Sequence, residues 1–240
     1  MKSFFSVRFD ELPPQLPIFP LAGALLLPHG RMPLTIFEPR YLQLIFDALA
    51  TPERMMGMVL PHSPPNPPVG AAEASIHAEE AHLSDAVPIY PIGCAGRITS
   101  MTEGDDGRVL IILEGVIRFN IAEELPFTKA YRRVSASWSP YRADMIPELV
   151  VNQSTKIDRK KLTQALRKYF TLHGIDAEWE AIDHTPDNRL VNSLAMICPF
   201  EDVEKQALLE SPTLLTRAEL ITNLLEMAVL SGDTSEAIKH

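Results

Sequence analysis

The sequence predicts an α+β chain in which a β-rich domain over residues 1–146 precedes a helical domain over residues 147–240. Three observations carry that expectation. The opening is apolar yet interrupted by prolines, which favours extended backbone. From about residue 88 to residue 138, β-rich runs are separated by turns and not by helices. Beyond about residue 146 the apolar spacing changes from a period of two to a period near 3.6.

The first element is the stretch "LPIFPLAGALLLPHGRMPLTIFEPRY", residues 16–41. From Leu12 to Gly30 there is no Asp, Glu, Lys or Arg, which raises the alternative of a membrane segment. Pro13, Pro14, Pro17, Pro20 and Pro28 exclude it, because a spanning helix needs about 20 apolar residues with every backbone donor paired internally. The preceding "MKSFFSVRFDELPP" carries Arg8, Asp10 and Glu11 and lacks the architecture of a secretory signal. A soluble, cytoplasmic protein is the expectation.

"QLPIFPL" reads as a short strand on a sheet edge, and "PLTIF" as a second strand after a turn through Pro28 and Gly30. Pro39 at a first helical position starts a helix through "PRYLQLIFDALA", with Tyr41, Leu44, Ile45 and Leu49 on its apolar face. "RMMGMVL" is the next strand. Residues 61–87, with five prolines between Pro61 and Pro68, read as an exposed, flexible connection.

"VPIYPIGCAGRITSM", "VLIILEGVIRFNI" and "KAYRRVSASW" then read as successive strands. Asp105, Asp106 and Gly107 make a hairpin turn between the first two, and Gly115 marks a bulge or bend. Connections this short favour an antiparallel sheet curled into a barrel or sandwich.

Four helices follow. "DRKKLTQALRKYF" places Leu162, Leu166, Tyr169 and Phe170 on one face; "TPDNRLVNSLAMICP" is bounded by Thr185 as cap, Pro186 at the first position and Pro199. "FEDVEKQALLESP" and "TRAELITNLLEMAVL" complete the set, the last with a capping box from Thr216 to Glu219. Helices this short are marginal alone, so they are expected to pack as a bundle.

Composition narrows the chemistry. The 240 residues are 46% hydrophobic and 22% charged, enough for a sizeable core. A net charge of -9 disfavours nonspecific attraction to nucleic acid or anionic lipid. Cys94 and Cys198 have no Cys-x-x-Cys spacing and suit two free, buried thiols in a reducing compartment.

No Gly-Lys pair occurs, which excludes the phosphate-binding loop of ATPases, and no Gly-x-Ser-x-Gly elbow is present. His77 and His82 bracket Glu79 and Glu80, but an interval of five does not bring two imidazoles to one helical face, and no metal site is expected. Lys156, Arg159, Lys160, Lys161, Arg167 and Lys168 crowd one helical stretch; a solvated face is preferred over a nucleic-acid surface.

The residues Pro17–Leu21, Pro28 and Phe37–Tyr41 resemble the opening of the Lon protease N-terminal domain. That family begins with a Pro-Leu-Phe-Pro-Leu-like strand and enters its first helix through Phe-Glu-x-Arg-Tyr. The resemblance continues through "IGCAGRI", through "LEGVIRFNI", similar to the family's Glu-Gly-x-x-Arg-Phe strand, and through "EKQALLE". It implies a PUA-like β-barrel followed by a helical bundle, and a stand-alone module similar to the substrate-recognition part of the protease without its ATPase and peptidase domains.

The function expected from the resemblance is noncatalytic binding of polypeptide clients or a partner protein, with no cofactor. Met32, Pro33, Phe37 and Tyr41 are the candidate contacts, together with apolar residues of a groove between the two domains. Glu38, Arg40, Gly115 and Arg118 are the structural motif residues, Glu38 at the helix N-terminus and Arg40 paired with a nearby carboxylate. The alternative is a nucleic-acid-binding PUA-like protein, which the negative charge disfavours.

Overall fold

A computed structural model describes residues 7–62, 87–126, 128–146 and 157–237. The expectations for residues 63–86, including His77 and His82, and for Lys156 lie outside the described residues. Among the described residues there are six strands: β1 Gln15–Pro20, β2 Arg31–Ile36, β3 Met55–Val59, β4 Ile92–Glu103, β5 Val109–Glu124 and β6 Arg133–Ser137. The α-helices among the described residues are α1 Pro39–Leu49, α2 Arg159–Leu172, α3 Trp179–His184, α4 Asp187–Ile197, α5 Asp202–Glu210 and α6 Leu214–Ala237. Two 3₁₀ segments, Phe9–Glu11 and Ser139–Met145, flank the sheet. No described helix is long and apolar enough to cross a membrane.

The strands form one sheet in the order β2-β5-β4-β3-β1-β6, and β6 also pairs with β5. The length of β5 makes this possible. Its first half pairs with β2 from Val109 to Glu114, and its second half pairs with β6 from Asn120 to Glu124. β5, β4, β3, β1 and β6 thus complete a hydrogen-bonded circuit, and β2 remains at the end of the sheet.

Two expectations for the sheet are corrected. The sheet is mixed and not purely antiparallel, because β1 and β3 run parallel, Ile18 opposite Gly57 and Pro20 opposite Val59. The crossover through β2 and α1 returns the chain in the same direction, which short turns alone cannot do. The proline-rich β1 is also not at an edge but lies between β3 and β6. It tolerates Pro17 and Pro20 because its pairing changes side midway, with Gln15 to Pro17 opposite β6 and Ile18 to Pro20 opposite β3.

The uncharged opening is buried against the sheet. Leu16, Ile18, Leu25, Leu26 and Leu27 are all at most 2% exposed. Leu16 and Ile18 join Met55, Val59, Ile117, Phe119 and Val134 in one apolar cluster. Leu25 to Leu27 join the other, which unites Met56 and Met58 of β3 with Leu44 and Ile45 of α1 and with Leu166, Val191, Leu208 and Ile221 of the helices. β3 is buried on both faces for this reason, alternate side chains entering alternate clusters.

Gly115 lies where the β4–β5 register shifts, Ala95 facing Ile117 while Gly96 faces Gly115, so Val116 is the extra residue of a bulge. The Leu27 carbonyl packs directly on Gly115, and a Cβ there would stand 2.0 Å from that oxygen. Around this point Gly115 N–H donates to Gly30 O and His29 N–H donates to Gly115 O, both at 2.8 Å. The buried leucine loop is thereby tied to the middle of β5.

α1 starts with Pro39 at its first turn and buries Leu44, Ile45 and Ala48. The two C-terminal capping expectations shift in position. α4 begins at Asp187 with Pro186 as the residue before it, and the Thr185 hydroxyl instead donates to Ala181 O, closing α3. α6 begins at Leu214, and its cap is Thr213, whose Oγ1 accepts from Thr216 N–H at 3.1 Å while Thr216 Oγ1 accepts from Thr213 N–H at 3.2 Å. Thr216 is therefore the third residue of the helix and not its cap.

Among the side chains that join the sheet to the helices, one is a buried charge. Arg118 on β5 is 7% exposed. Its Nε and Nη2 donate to the two oxygens of Asp144 at 2.9 and 2.8 Å, and its backbone N–H donates to Asp144 at 3.1 Å. Its Nη1 donates to the carbonyls of Leu209 and Ser211, both at 3.0 Å, at the C-terminus of α5, where the helix presents its negative end. Burial pushes the guanidinium down, but the Asp144 hydrogen bonds and charge outweigh it and hold it above its ordinary value.

Gly115→Ala is expected to cost roughly 2–3 kcal/mol through the clash with Leu27 O, a fall of about 5–10 °C in the melting midpoint. Arg118→Met is expected to cost about 3–5 kcal/mol because it leaves Asp144 buried without its partner. Denaturant titration of Arg118→Met, Asp144→Leu and the double variant should show the double losing well under the sum of the singles. An additive double would mean that the two groups do not act as a pair.

Candidate functional site

The four residues expected to contact a partner occupy different layers. Met32 is 9% exposed and sits in the core beneath β2, while Pro33 is exposed. Successive strand residues face opposite sides, so the two cannot share a surface. Phe37, just past β2, is 64% exposed, with the Arg108 guanidinium 5.8 Å from its ring centre. Tyr41 is half-buried, its ring 4.1 Å from that of Phe19 and the Arg40 guanidinium 4.6 Å from its centre. Arg40 is held by Glu38 through Nη2 at 2.7 Å and Nε at 3.0 Å, so Glu38 and Arg40 orient the entry to α1.

β2 pairs only with β5 among the described strands. Gly115 N–H bonds Gly30 O, and the alternation of an antiparallel ladder then turns the backbone groups of Arg31, Pro33 and Thr35 towards the unpaired side. Pro33, which has no N–H, is tolerated for that reason. On the outer face beside this edge, Pro33 stands opposite Ile112 and Thr35 opposite Leu110, and Leu110 is 46% exposed.

At the start of β2 this edge meets a groove of about 450 Å³. Its strand side is formed by Gly30, Arg31 and Glu114, and its helical side by Arg189, Met196 and Ile197 of α4. α4 lies close to Gly30, where a Cβ would be 2.5 Å from the sulfur of the flexible Met196 side chain. Ile197 is 78% exposed at the rim. His29 holds the corner with φ at 64°, the left-handed region that His visits more readily than most residues. Its Nε2 lies 3.1 Å from Asp144 O.

His29, Asn188 and Asn192 also line an adjoining cavity of about 60 Å³, whose other walls include Arg118, Asp144, Thr213 and Arg217. Arg217 is 7% exposed. Its Nε donates to Leu208 O at 2.9 Å, its Nη1 to Asn192 Oδ1 at 3.0 Å, and its Nη2 reaches Ser211 O only at 3.5 Å. Burial first, and then the charge of Arg118, push its guanidinium down to about 10. Asn192 also donates to Pro28 O at 3.2 Å, which ties α4 to the loop before β2.

Arg217 and Asn192 were not singled out from the sequence, although Arg217 carried a signal. It shares the i, i+4, i+8 stripe of α6 with Ile221 and Leu225, both fully buried, and a charge in an apolar stripe is informative. Asp144 carried no local signal, since its role is set by a residue of another element.

Other candidates are accounted for differently. Within the basic stretch of α2, Arg159 bonds Asp187 and Thr185 O, Lys161 pairs with Glu226 at 3.3 Å, and Arg167 lies 4.1 Å from the centre of the Trp179 ring. These side chains hold the helical region together. Cys94 and Cys198 are free and buried, and burial raises both thiols, Cys198 to about 11, so neither is a ready nucleophile.

The chain was compared with known proteins. It is 23% identical over 245 residues to Lon protease 2 of Myxococcus xanthus and 24% identical over 240 residues to the Lon protease of Anaeromyxobacter dehalogenans, covering 97% of this chain and 26% of each relative. The chain thus spans about a quarter of the length of these curated relatives. Two solved structures share its fold. One is the Lon N-terminal domain protein from Xanthomonas campestris, with a TM-score of 0.51 at 22% identity over 85% of this chain and 95% of that one. The other is the N-terminal domain of Mycobacterium avium complex Lon protease, with a TM-score of 0.55 at 15% identity over 88% of this chain and 98% of that one. Residues 15–227 match the model of the ATP-dependent protease La (LON) substrate-binding domain, and the chain belongs to that family.

Proposed function

We propose that this chain is a noncatalytic, cytoplasmic module that binds extended segments of other polypeptides, as the family description of substrate binding suggests. The observation that carries it is the edge of β2, unpaired among the described strands, leading into the groove against α4. An unpaired edge offers main-chain hydrogen bonds to any sequence, and a groove beside it selects side chains. From Arg31 to Phe37 the strand extends for roughly 20 Å, enough to seat about six residues of an added strand. Pro33 and Phe37 are the exposed contacts, with Ile197 at the groove rim; Met32 and Tyr41 support the surface from below.

The same proposal takes the circuit of β5, β4, β3, β1 and β6 as a PUA-like barrel, and the helices from Arg159 onward as a bundle. The division of the chain falls at about residues 146 and 147. Recognition and not chemistry is the task of these residues.

Fluorescence anisotropy with a panel of labelled unfolded peptides should give saturable binding tighter than roughly millimolar, about -4 kcal/mol. Phe37→Ala and Ile197→Ser should each weaken it several-fold without lowering the melting midpoint, since both side chains are mostly exposed. Mixed RNA at low salt should not displace the peptide. No saturable binding across the panel would reject the proposal, and displacement by RNA that fades with salt would favour a nucleic-acid function instead.

A further inference from the structure

The cavity beside the groove is positively charged although the chain as a whole is acidic. The chain carries a net charge of -9, yet the groove and cavity together present Arg31, Arg189, Arg118 and Arg217 against the carboxylates of Glu114 and Asp144. Arg118 already takes both oxygens of Asp144. Arg217 has no carboxylate among its bonded partners, and its Nη2 is held only by the long contact to Ser211 O, an oxygen that Arg118 approaches more closely. Pro212, Thr213 and Leu214, the entry to the 24-residue helix α6, line the same cavity and add the positive end of that helix.

Resting on the proposed polypeptide binding, we infer that this cavity receives a carboxylate, and that its source is the C-terminal α-carboxylate of the bound chain. The cavity, about 60 Å³ in volume, opens beside the groove and admits a small polar group. A guanidinium with donors to spare is the group that binds a carboxylate bidentately. The charge also selects the direction of the bound strand. A polypeptide lying along β2 reaches the Arg31 end with one terminus; the guanidinium groups repel an ammonium there and attract a carboxylate. The bound strand therefore runs antiparallel to β2, from Phe37 towards Arg31.

The test uses one unfolded peptide sequence, labelled at its N-terminus and made both as the free acid and as the C-terminal amide, in anisotropy titrations with the intact chain. The free acid should bind at least about tenfold tighter than the amide. Arg217→Gln should bring the two within about twofold of each other, with its fold checked by thermal melting. Should that variant not fold, Arg189→Glu, at an exposed groove position, should lower affinity for the free acid more than for the amide. An amidated peptide carrying an internal glutamate should bind like the plain amide.

Equal, saturable binding of acid and amide would overturn the carboxylate site while leaving polypeptide binding intact. So would a preference for the acid that survives both variants, or an internal glutamate that substitutes for the free terminus. Binding of neither form would overturn both.

Discussion

The buried Arg118 guanidinium is a point at which the strands and the helices of this fold are joined. One side chain on β5 takes the Asp144 carboxylate from the 3₁₀ segment Ser139–Met145 and the last carbonyls of α5. A charge this deeply buried is tolerated only when its hydrogen-bonding capacity is met with good geometry. Here a bidentate carboxylate meets one side of the fork and a helix C-terminus meets the other. Their dependence is mutual: the α5 carbonyls need donors that no further helical turn supplies, and the Asp144 carboxylate takes three hydrogen bonds from Arg118.

The arrangement also decides where the molecule is closed and where it is open. β5 is long enough to lend the two halves of one edge to different strands, and the bulge at Gly115 and Val116 lies between those pairings. β6 completes the circuit at one half, while β2 at the other half is left as the last strand. The constraint at Gly115 seats the loop Leu25–Leu27, and this loop sets β2 beside α4. The open edge, the groove and the cavity with Arg217 therefore arise from the contacts that build the core. Family membership adds that related chains carry this fold at the N-terminus of Lon proteases, whose length this chain covers by about a quarter.

Arg217 shows how a second buried charge differs from the first. Arg118 has a carboxylate partner and its guanidinium is held above the ordinary range; Arg217 has carbonyls and an amide oxygen, and its guanidinium is pushed below it. The two lie close enough for the first to oppose the second. Beside the groove the Arg217 guanidinium is bonded to carbonyl and amide oxygens and to no carboxylate.

Most of the segments that extend, coil or are buried were legible in the sequence, although the short helix α3 Trp179–His184 was not among the four helices read from it. Proline spacing in residues 12–30, the turn at Asp105 to Gly107, Pro39 before α1 and the 3.6-residue stripes of α2 and α6 are local signals, and local sterics and periodicity are enough to decode them. The sequence also flagged Glu38, Arg40, Gly115 and Arg118 as motif residues without naming the partner of Arg40, which in the structure is Glu38 at 2.7 Å. What tertiary structure alone decided was pairing. That β1 runs parallel to β3 and lies inside the sheet, that Met32 points into the core while Pro33 does not, and that Arg217, Asn192 and His29 meet around one cavity depend on residues far apart in the chain. Hydrogen-bond partners across a sheet and the partner of a buried charge are properties of packing, and no single segment carries them.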